Sequence, residues 1–289
     1  MIQLIIPHLN YPGVLLLKFC VLRSGSSGNC TLVEYNGFRI LIDAGMSQKR
    51  IREALEEVGL CLQDIHAIII THLHSDHLNY STFQICNKYC IPLWIHSQNI
   101  PLIIPKFKKD WSSIIKINGF DENRFKIGDI IIRPFKISHD SVGITTGFCF
   151  GIKDGETKLL TYAADLGYFP DAILPYFIDS QALILEANHD VELLKSNPAR
   201  PFIHKKRVLG ESGHLSNSQT ADALTRIFEK SLRSPQMVVL CHLSNDHNSP
   251  ELAKRSVDKA LKEKGISISL DVAQRCKCTR TYTIKAVTL

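Results

Sequence analysis

The sequence predicts an α/β (α+β) protein, with sheet and helix layered into a single domain. Short β-rich runs alternate with segments of helical period. Two pairs of those runs meet at hairpin dipeptides, Asn36-Gly37 and Asp154-Gly155. Several runs also end on a histidine or an acid, and no repeat, low-complexity tract or linker divides the chain.

Taken in order, Val14 to Leu22 reads as a strand, followed by the small polar loop Ser24-Gly25-Ser26-Ser27-Gly28-Asn29. Thr31 to Tyr35 and Phe38 to Asp43 are the arms of the first hairpin. Ser47 caps a helix whose apolar positions Ile51, Leu55 and Val58 recur at helical spacing, and Gly59 ends it. Ala67 to Thr71 is a short apolar run that fits a buried central strand. Phe83 to Tyr89 reads as helix and Leu93 to His96 as strand. Ile130 to Ile137 is a strong strand running into His139. Phe148 to Ile152 and Leu159 to Ala163 form the second hairpin, which leads to Asp165. Ala182 to Leu185 ends at Glu186, and Met237 to Cys241 ends at His242. Ser249-Pro250-Glu251 opens the last long helix, with proline at its first position and an acid in its first turn, and Gly265 closes it.

Composition narrows the function classes. Apolar residues make up 45% of the 289 and charged residues 21%, which excludes a disordered chain, a coiled coil and a collagen-like fibre. The net charge of +6 permits a polyanionic partner without demanding one. Nine cysteines at irregular spacing do not make a disulfide framework, and most sit in apolar runs, as in a reducing cytoplasm. Cys276-Lys277-Cys278 is too short and isolated for a zinc ribbon. The apolar start of the chain is broken by Pro7, His8, Asn10, Pro12 and Gly13, so neither a membrane span nor a secretory signal is expected. The expectation is a cytoplasmic protein with no membrane partner.

Thr71-His72-Leu73-His74-Ser75-Asp76-His77 carries the chemistry. Three imidazoles and one carboxylate fall within six residues, and these are preferred ligands of zinc, manganese and ferrous iron. In a loop leaving a strand, His72 and His74 project to one side, and Asp76 and His77 turn toward a second position. Four ligands in so short a segment do not reach one ion comfortably, so the spacing favours two ions side by side. A merely histidine-rich surface loop would set polar groups at a sheet end for no return. His139, Asp165 and His242 each follow a predicted strand, and a mixed sheet brings such ends to one edge.

With Leu41-Ile42-Asp43-Ala44-Gly45, then His72-x-His74-x-Asp76-His77, then His139, Asp165 and His242 in order, the chain resembles the metallo-β-lactamase-fold hydrolases from about Lys18 onward. More narrowly it resembles their WalJ/YycJ branch, described as DNA-directed exonucleases. Ser24 to Asn29, Ser138-His139-Asp140, Glu186 to Asp190, Ser212 to Asn217 and His242 to Asn245 carry that match. The resemblance implies a four-layer αββα sandwich. It implies that His72, His74 and His139 hold one ion, that Asp76, His77 and His242 hold the other, and that Asp165 bridges them. Asp43 would orient the histidine loop from behind, as ligating imidazoles require.

Two divalent ions (zinc or manganese) roughly 3.5 Å apart can share a water and lower its pKa toward neutrality. A hydroxide bridging them suits lactone, thioester, β-lactam or phosphodiester hydrolysis, so the ions alone do not choose the substrate. The leading expectation is a metal-dependent phosphodiesterase, a 5′-to-3′ DNA exonuclease, with DNA favoured over RNA. The alternatives are a small-molecule acyl hydrolase (thioesterase or lactonase) of the same fold, and a non-enzymatic metal-dependent scaffold.

Asp76 and His214 are the catalytic candidates, His214 because Ser212-Gly213-His214 resembles the histidine motif of the nuclease branches. His214 also precedes a helix that Ser216 or Asn217 would cap. Glu186 orders a metal-ligand histidine, contacts phosphate or satisfies a helix end. Ser26, Ser27, Asn29, Asn188 and Ser244 are candidate phosphate contacts, and the Ser24 to Asn29 loop also fits a tight turn. Lys205-Lys206-Arg207 and Lys106, Lys108 and Lys109 are basic patches that suit either a nucleic-acid backbone or a solvated face. Tyr80, Phe83, Trp94 and Trp111 are spaced as core residues.

Related nucleases often insert a large domain between the bridging acid and the last histidine. Asp165 and His242 are only 77 positions apart, so no such cap is expected, and the groove would be open or closed by a second subunit in a dimer. Residues 1–17 read as an N-terminal extension or a start-site artefact, and 18–289 as the hydrolase domain.

Overall fold

The computed structural model describes residues 15–152 and 157–286. The first half of the chain builds one sheet from β1 (Leu15–Arg23), β2 (Cys30–Tyr35), β3 (Phe38–Ile42), β4 (Ala67–Ile69), β5 (Leu93–His96) and β6 (Ile117–Phe120). The second half builds another from β7 (Phe125–Ile127), β8 (Ile130–Ile137), β9 (Thr145–Ile152), β10 (Leu160–Ala163), β11 (Ala182–Glu186), β12 (Met237–Cys241) and β13 (Ser269–Val272). The last strand, β14 (Tyr282–Ala286), returns to the first sheet beside β1. The orders are β14-β1-β2-β3-β4-β5-β6 and β13-β12-β11-β10-β9-β8-β7. Each sheet starts with antiparallel pairs and continues with parallel ones, from β3 to β6 and from β10 to β13.

Among the described residues, eight α-helices accompany the sheets: α1 (Gln48–Glu56), α2 (Tyr80–Tyr89), α3 (Ile103–Phe107), α4 (Leu174–Phe177), α5 (Val191–Ser196), α6 (Phe202–Leu209), α7 (Asn217–Lys230) and α8 (Pro250–Glu263). Three apolar clusters account for the layering. Phe19, Val33, Ile42, Ile69, Phe148, Tyr162, Ile184 and Val239 fill the space between the sheets. Ile51, Leu55, Phe83 and Ile85 seal α1 and α2 onto the outer face of the first sheet. Leu224, Ile227, Val257 and Leu261 seal α7 and α8 onto that of the second. The result is the expected four-layer αββα sandwich, a single domain.

Local chemistry explains most boundaries. Asn36 and Gly37 both take positive φ (51° and 78°), as a tight hairpin between β2 and β3 requires. The side chain of Ser47 accepts from Arg50 N to cap α1. Asn79 accepts from Ser81 N, which starts α2 three residues before the predicted Phe83. The turn expected at Asp154-Gly155 lies outside the described residues, while β9 and β10 pair antiparallel as its arms. β1 begins at Leu15, so the sheet takes in residues assigned from sequence to the extension, and 1–14 lie outside the described residues.

One expectation changes, and one helix is new. Phe83 and Trp111 are core residues, stacked at 4.9 Å, but Tyr80 is exposed at the start of α2 and Trp94 is only partly buried. Residues 202–209 form α6, a helix hidden in the sequence by Pro198, Pro201 and the basic run after them.

Candidate metal centre and active site

The parallel strands of both sheets deliver their carboxyl ends to one edge. There β3 hands over Asp43, β4 the histidine loop, β8 His139, β10 Asp165, β11 Glu186 and β12 His242. Asp43, Asp165 and His242 take left-handed backbone angles (φ 60°, 59° and 54°) within two residues of their strands. Non-glycine residues seldom adopt this region, and it persists where surrounding contacts over-determine it. Here it turns each side chain off its strand toward the cleft.

The seven proposed ligands converge. His72 Nε2 lies 3.1 Å from His74 Nδ1, which lies 3.2 Å from His139 Nε2. Asp165 Oδ1 is 3.7 Å from His139 Nε2. On the other side, Asp76 Oδ2 is 3.6 Å from both His77 Nε2 and His242 Nε2. Asp165 Oδ2 is 2.8 Å from His77 Nε2. Asp165 Oδ1 also lies 3.2 Å from His242 Nδ1, so Asp165 sits between the two groups.

The donor chemistry fits divalent cations. His242 Nε2 is buried without a hydrogen-bond partner, an arrangement that is costly unless another species engages it, and the equally buried Asp165 Oδ2 faces the His77 ring at 2.8 Å. Burial drives His72 well below its ordinary pKa and lowers His74 and His139, so these imidazoles are neutral with a lone pair to give. The other half is rich in acid. Burial opposes charging His77, but Asp43, Asp165 and Asp76 outweigh it and raise its pKa well above normal. His242 is likewise pushed up to about 10 against its burial, chiefly by Asp165. Asp165 is held well below the usual carboxylate range, against its burial, by His242 and His77. This half requires positive charge, and protons fill that need when ions do not.

The candidate ligands are held from behind. Asp43 Oδ2 accepts from His77 Nδ1 at 2.7 Å, and Asp43 Oδ1 accepts from Thr71 N at 2.8 Å. Thr71 Oγ1 also lies 2.9 Å from His72 Nδ1. His139 Nδ1 donates to the Gly213 carbonyl at 3.1 Å. Glu186 Oε1 accepts from His242 Nδ1 at 2.9 Å and from His214 Nδ1 at 2.8 Å, while Oε2 accepts from Leu166 N and Leu215 N. Of the three roles weighed for Glu186, these contacts match the first: it holds two histidine rings, and it also pins two backbone turns. His214 lies 3.3 Å from Asp165 Oδ1, and Glu186 raises its pKa against burial.

Each residue of Ser212 to Asn217 has a place. Ser212 O accepts from Asp140 N, Gly213 O accepts from His139 Nδ1, Leu215 O accepts from Asn188 N, and Ser216 caps α7. A side chain at Gly213 would meet the carbonyl oxygen of Val208 at 2.2 Å. The capping role and the His214 contact therefore coexist.

A cavity of about 570 Å³ opens over the centre. Ser26, Ser27, Asn188 and Ser244 line it, as do His214 and Asp76. Asn29 does not: it is buried, its Oδ1 accepts from Gly25 N, and its amide lies 3.0 Å from His77 Nε2. The N–H groups of Gly25 and Gly28 bond within the loop and those of Ser24 and Asn29 to Gln274 O and Asp76 O, while Ser26 and Ser27 line the cavity. Asn188 donates to His242 O at 2.7 Å and shares in holding that ligand. Sequence reasoning gave no role to Thr71, although it abuts the histidine motif, nor to His204 on α6 and Arg200, Arg275 and His247 on loops, all four of which line the cavity without a local signature. No helix among the described residues is long and apolar enough to cross a membrane.

The chain is similar to known proteins in family, sequence and fold. A family model described as "Beta-lactamase superfamily domain" matches residues 38–243. The chain is 31% identical over 266 residues to "Exodeoxyribonuclease WalJ" of Streptococcus pneumoniae, a match covering 88% of this chain and 91% of that protein. It is 31% identical over 255 residues to "Exodeoxyribonuclease YycJ" of Bacillus anthracis, covering 87% and 92%. The solved metallo-beta-lactamase fold protein YhfI from Bacillus subtilis matches 93% of this chain and 99% of its own with a TM-score of 0.68, at 16% identity, which speaks to the fold.

Proposed function

This chain belongs to the beta-lactamase superfamily, and from that premise we propose that it is a dinuclear DNA exonuclease working from the 5′ end. It is a metal-dependent hydrolase, and its exonuclease-named relatives support a phosphodiester substrate. The observation that carries the reading is His214, anchored on buried Glu186 and set 3.3 Å from Asp165 Oδ1 in the cavity wall. An ester with a poor leaving group needs a proton donor beside the metal centre.

His72, His74 and His139 would hold one ion and Asp76, His77 and His242 the other, with Asp165 shared between them. Bound divalent ions would supply an activated water and neutralise charge at the phosphate. The protein does the rest. Asp43 and Glu186 fix the far nitrogens of His77 and His242, so each ring meets the centre in one tautomer. With Nδ1 tied to Glu186, His214 keeps Nε2 for the cavity and hands its proton to the departing 3′ oxygen. Ser26, Ser27 and Ser244 offer hydroxyls to the phosphate from the facing wall. All nine cysteines are free thiols, which fits a reducing cytoplasm, where DNA is at hand.

The test is release of mononucleotides by metal-loaded protein from DNA labelled at one end or the other. Label freed first from the 5′ end, and lost in His74→Ala, is the expected outcome. Protein loaded with zinc or manganese that leaves every DNA intact, or that hydrolyses thioesters equally well with and without His214, would sink the reading.

A further inference from the structure

α6 forms part of the cavity wall. It turns His204, Arg207 and Val208 toward the catalytic cavity. Its other side borders a second, shallow hollow of about 660 Å³ that Ile203, Lys206, Gly210 and Ser212 help to line. His204 and Arg207 border both, so the two hollows adjoin across one helix. The reaction proposed above makes no use of the second one.

Two features set this helix apart. Phe202 and Ile203, consecutive at the start of α6, are 79% and 73% exposed, and Ile203 lines the second hollow; exposed apolar surface of this kind marks contact with a partner. Residues 198–210 also carry Arg200, Lys205, Lys206 and Arg207 and no acid. Arg200 pairs with Asp246 and Arg207 with Asp140, and Glu211 borders the hollow as well. Lys206 has no ion-pair partner among the described residues. Apolar surface interleaved with cations matches a single nucleic-acid strand, whose bases offer flat apolar faces and whose backbone carries the charge. It matches a second copy of the chain less well, because a two-fold contact centred here would set two basic helices against each other.

We propose that this second hollow is a nucleotide subsite for the strand beyond the scissile phosphate. Phe202 and Ile203 receive a base, and Lys206 with Arg207 takes the adjoining phosphate. The inference rests on the phosphodiesterase reading and adds a strand path to it: out of the catalytic cavity, across α6, and into the second hollow.

The experiment measures binding and cleavage separately. Full-length, metal-loaded protein is titrated with a fluorescent single-stranded oligonucleotide whose phosphorothioate linkages resist cleavage, and hydrolysis of the unmodified strand is followed in parallel. Phe202→Ala/Ile203→Ala should raise Kd by about 5- to 150-fold, the range for losing one stacked base. Lys206→Gln should flatten the slope of log Kd against log salt by about 0.7. Both changes are at exposed positions, and an unaltered melting temperature checks that the fold is intact. Protein that cleaves DNA while both variants bind like the parent overturns the subsite and leaves the exonuclease reading standing. Protein that binds as described but cleaves nothing keeps the subsite and removes the exonuclease. A parent dimer that the double variant splits into monomers overturns the subsite by giving the surface to a second copy. No binding by the parent overturns both.

Discussion

Glu186 Oε1 and His214 Nδ1 meet at 2.8 Å across 28 residues of sequence, and the carboxylate is closed to solvent. The same oxygen receives the Nδ1 proton of His242, so one acid sets both the candidate proton donor and a candidate ligand. Removing the ring and removing its anchor should therefore have different signatures. His214→Ala should lower kcat on DNA by about 10²–10⁴-fold, with a much smaller loss on bis(p-nitrophenyl) phosphate, whose leaving group needs no proton. Metal content should stay at the parent value. Equal losses on both substrates would mean that His214 positions rather than protonates.

Glu186→Gln should add a metal phenotype to that loss. Its amide nitrogen can donate where the carboxylate only accepted, so the His242 ring loses its fixed orientation. Metal affinity, read by chelator competition, should fall about 10–100-fold. Asp43→Asn should do the same through His77, because Asp43 has the Thr71 amide and the His77 ring to satisfy.

Stripping the ions should destabilise the protein as well as silence it. Asp43, Asp165 and Glu186 are buried within one cluster, and without cations their charge is balanced by protons on His77, His242 and His214, whose pKa values they raise. Ions that bind the folded chain alone raise stability by mass action, and a hundredfold excess over Kd contributes about 2.7 kcal/mol. The melting temperature should drop on chelation and recover with zinc or manganese. A chelated protein that melts with the loaded one would show that no ion was held.

His189 supplies a pH dependence away from the cavity. It is fully buried, neither ring nitrogen has a hydrogen-bond partner, and burial lowers its pKa to about 4. The unfolded chain takes up this proton near pH 6.5 and the folded chain only near 4. Stability is thus complete above about 6.5 and is lost as pH falls toward 4. His189→Leu should lose less stability than the parent between pH 7 and 5, measured as urea midpoints with metal in excess. Parallel curves would show that the ring titrates normally.

Legibility followed chain distance. The ligand motif His72 to His77 was readable because its donors are local, and His139, Asp165 and His242 because each follows an apolar strand. Asn36-Gly37 and Ser47 carry their structure in their own side chains. The left-handed backbone at Asp43, Asp165 and His242 has no such signal, since contacts from other strands impose it. Asn29 was read as a substrate contact because nothing in the sequence shows that Asp76 and His77 fold over it. Arg200 and Arg207 line the cavity and pair with Asp246 and Asp140, 46 and 67 positions away, which the local sequence does not reveal.

Gly45 is the sharpest steric test of how the centre is built. It lies two residues after Asp43, and a Cβ placed on it would meet Asp76 O at 1.8 Å and His77 N at 2.3 Å. These are backbone atoms of the ligand loop, which no rotamer change can move aside. The same crossing is stitched by hydrogen bonds from Ala44 N to His77 O and from Asn29 N to Asp76 O. Gly45→Ala must therefore push the Asp76–His77 peptide away from the loop that follows β3. Overpacking of this kind costs about 1–3 kcal/mol, and here it falls on two ligands of one candidate ion. Metal content should drop toward one ion per chain, the melting temperature should fall, and activity should vanish even in excess metal. Gly45→Ala protein that holds its full metal complement would show that the two loops can separate without disturbing Asp76 and His77.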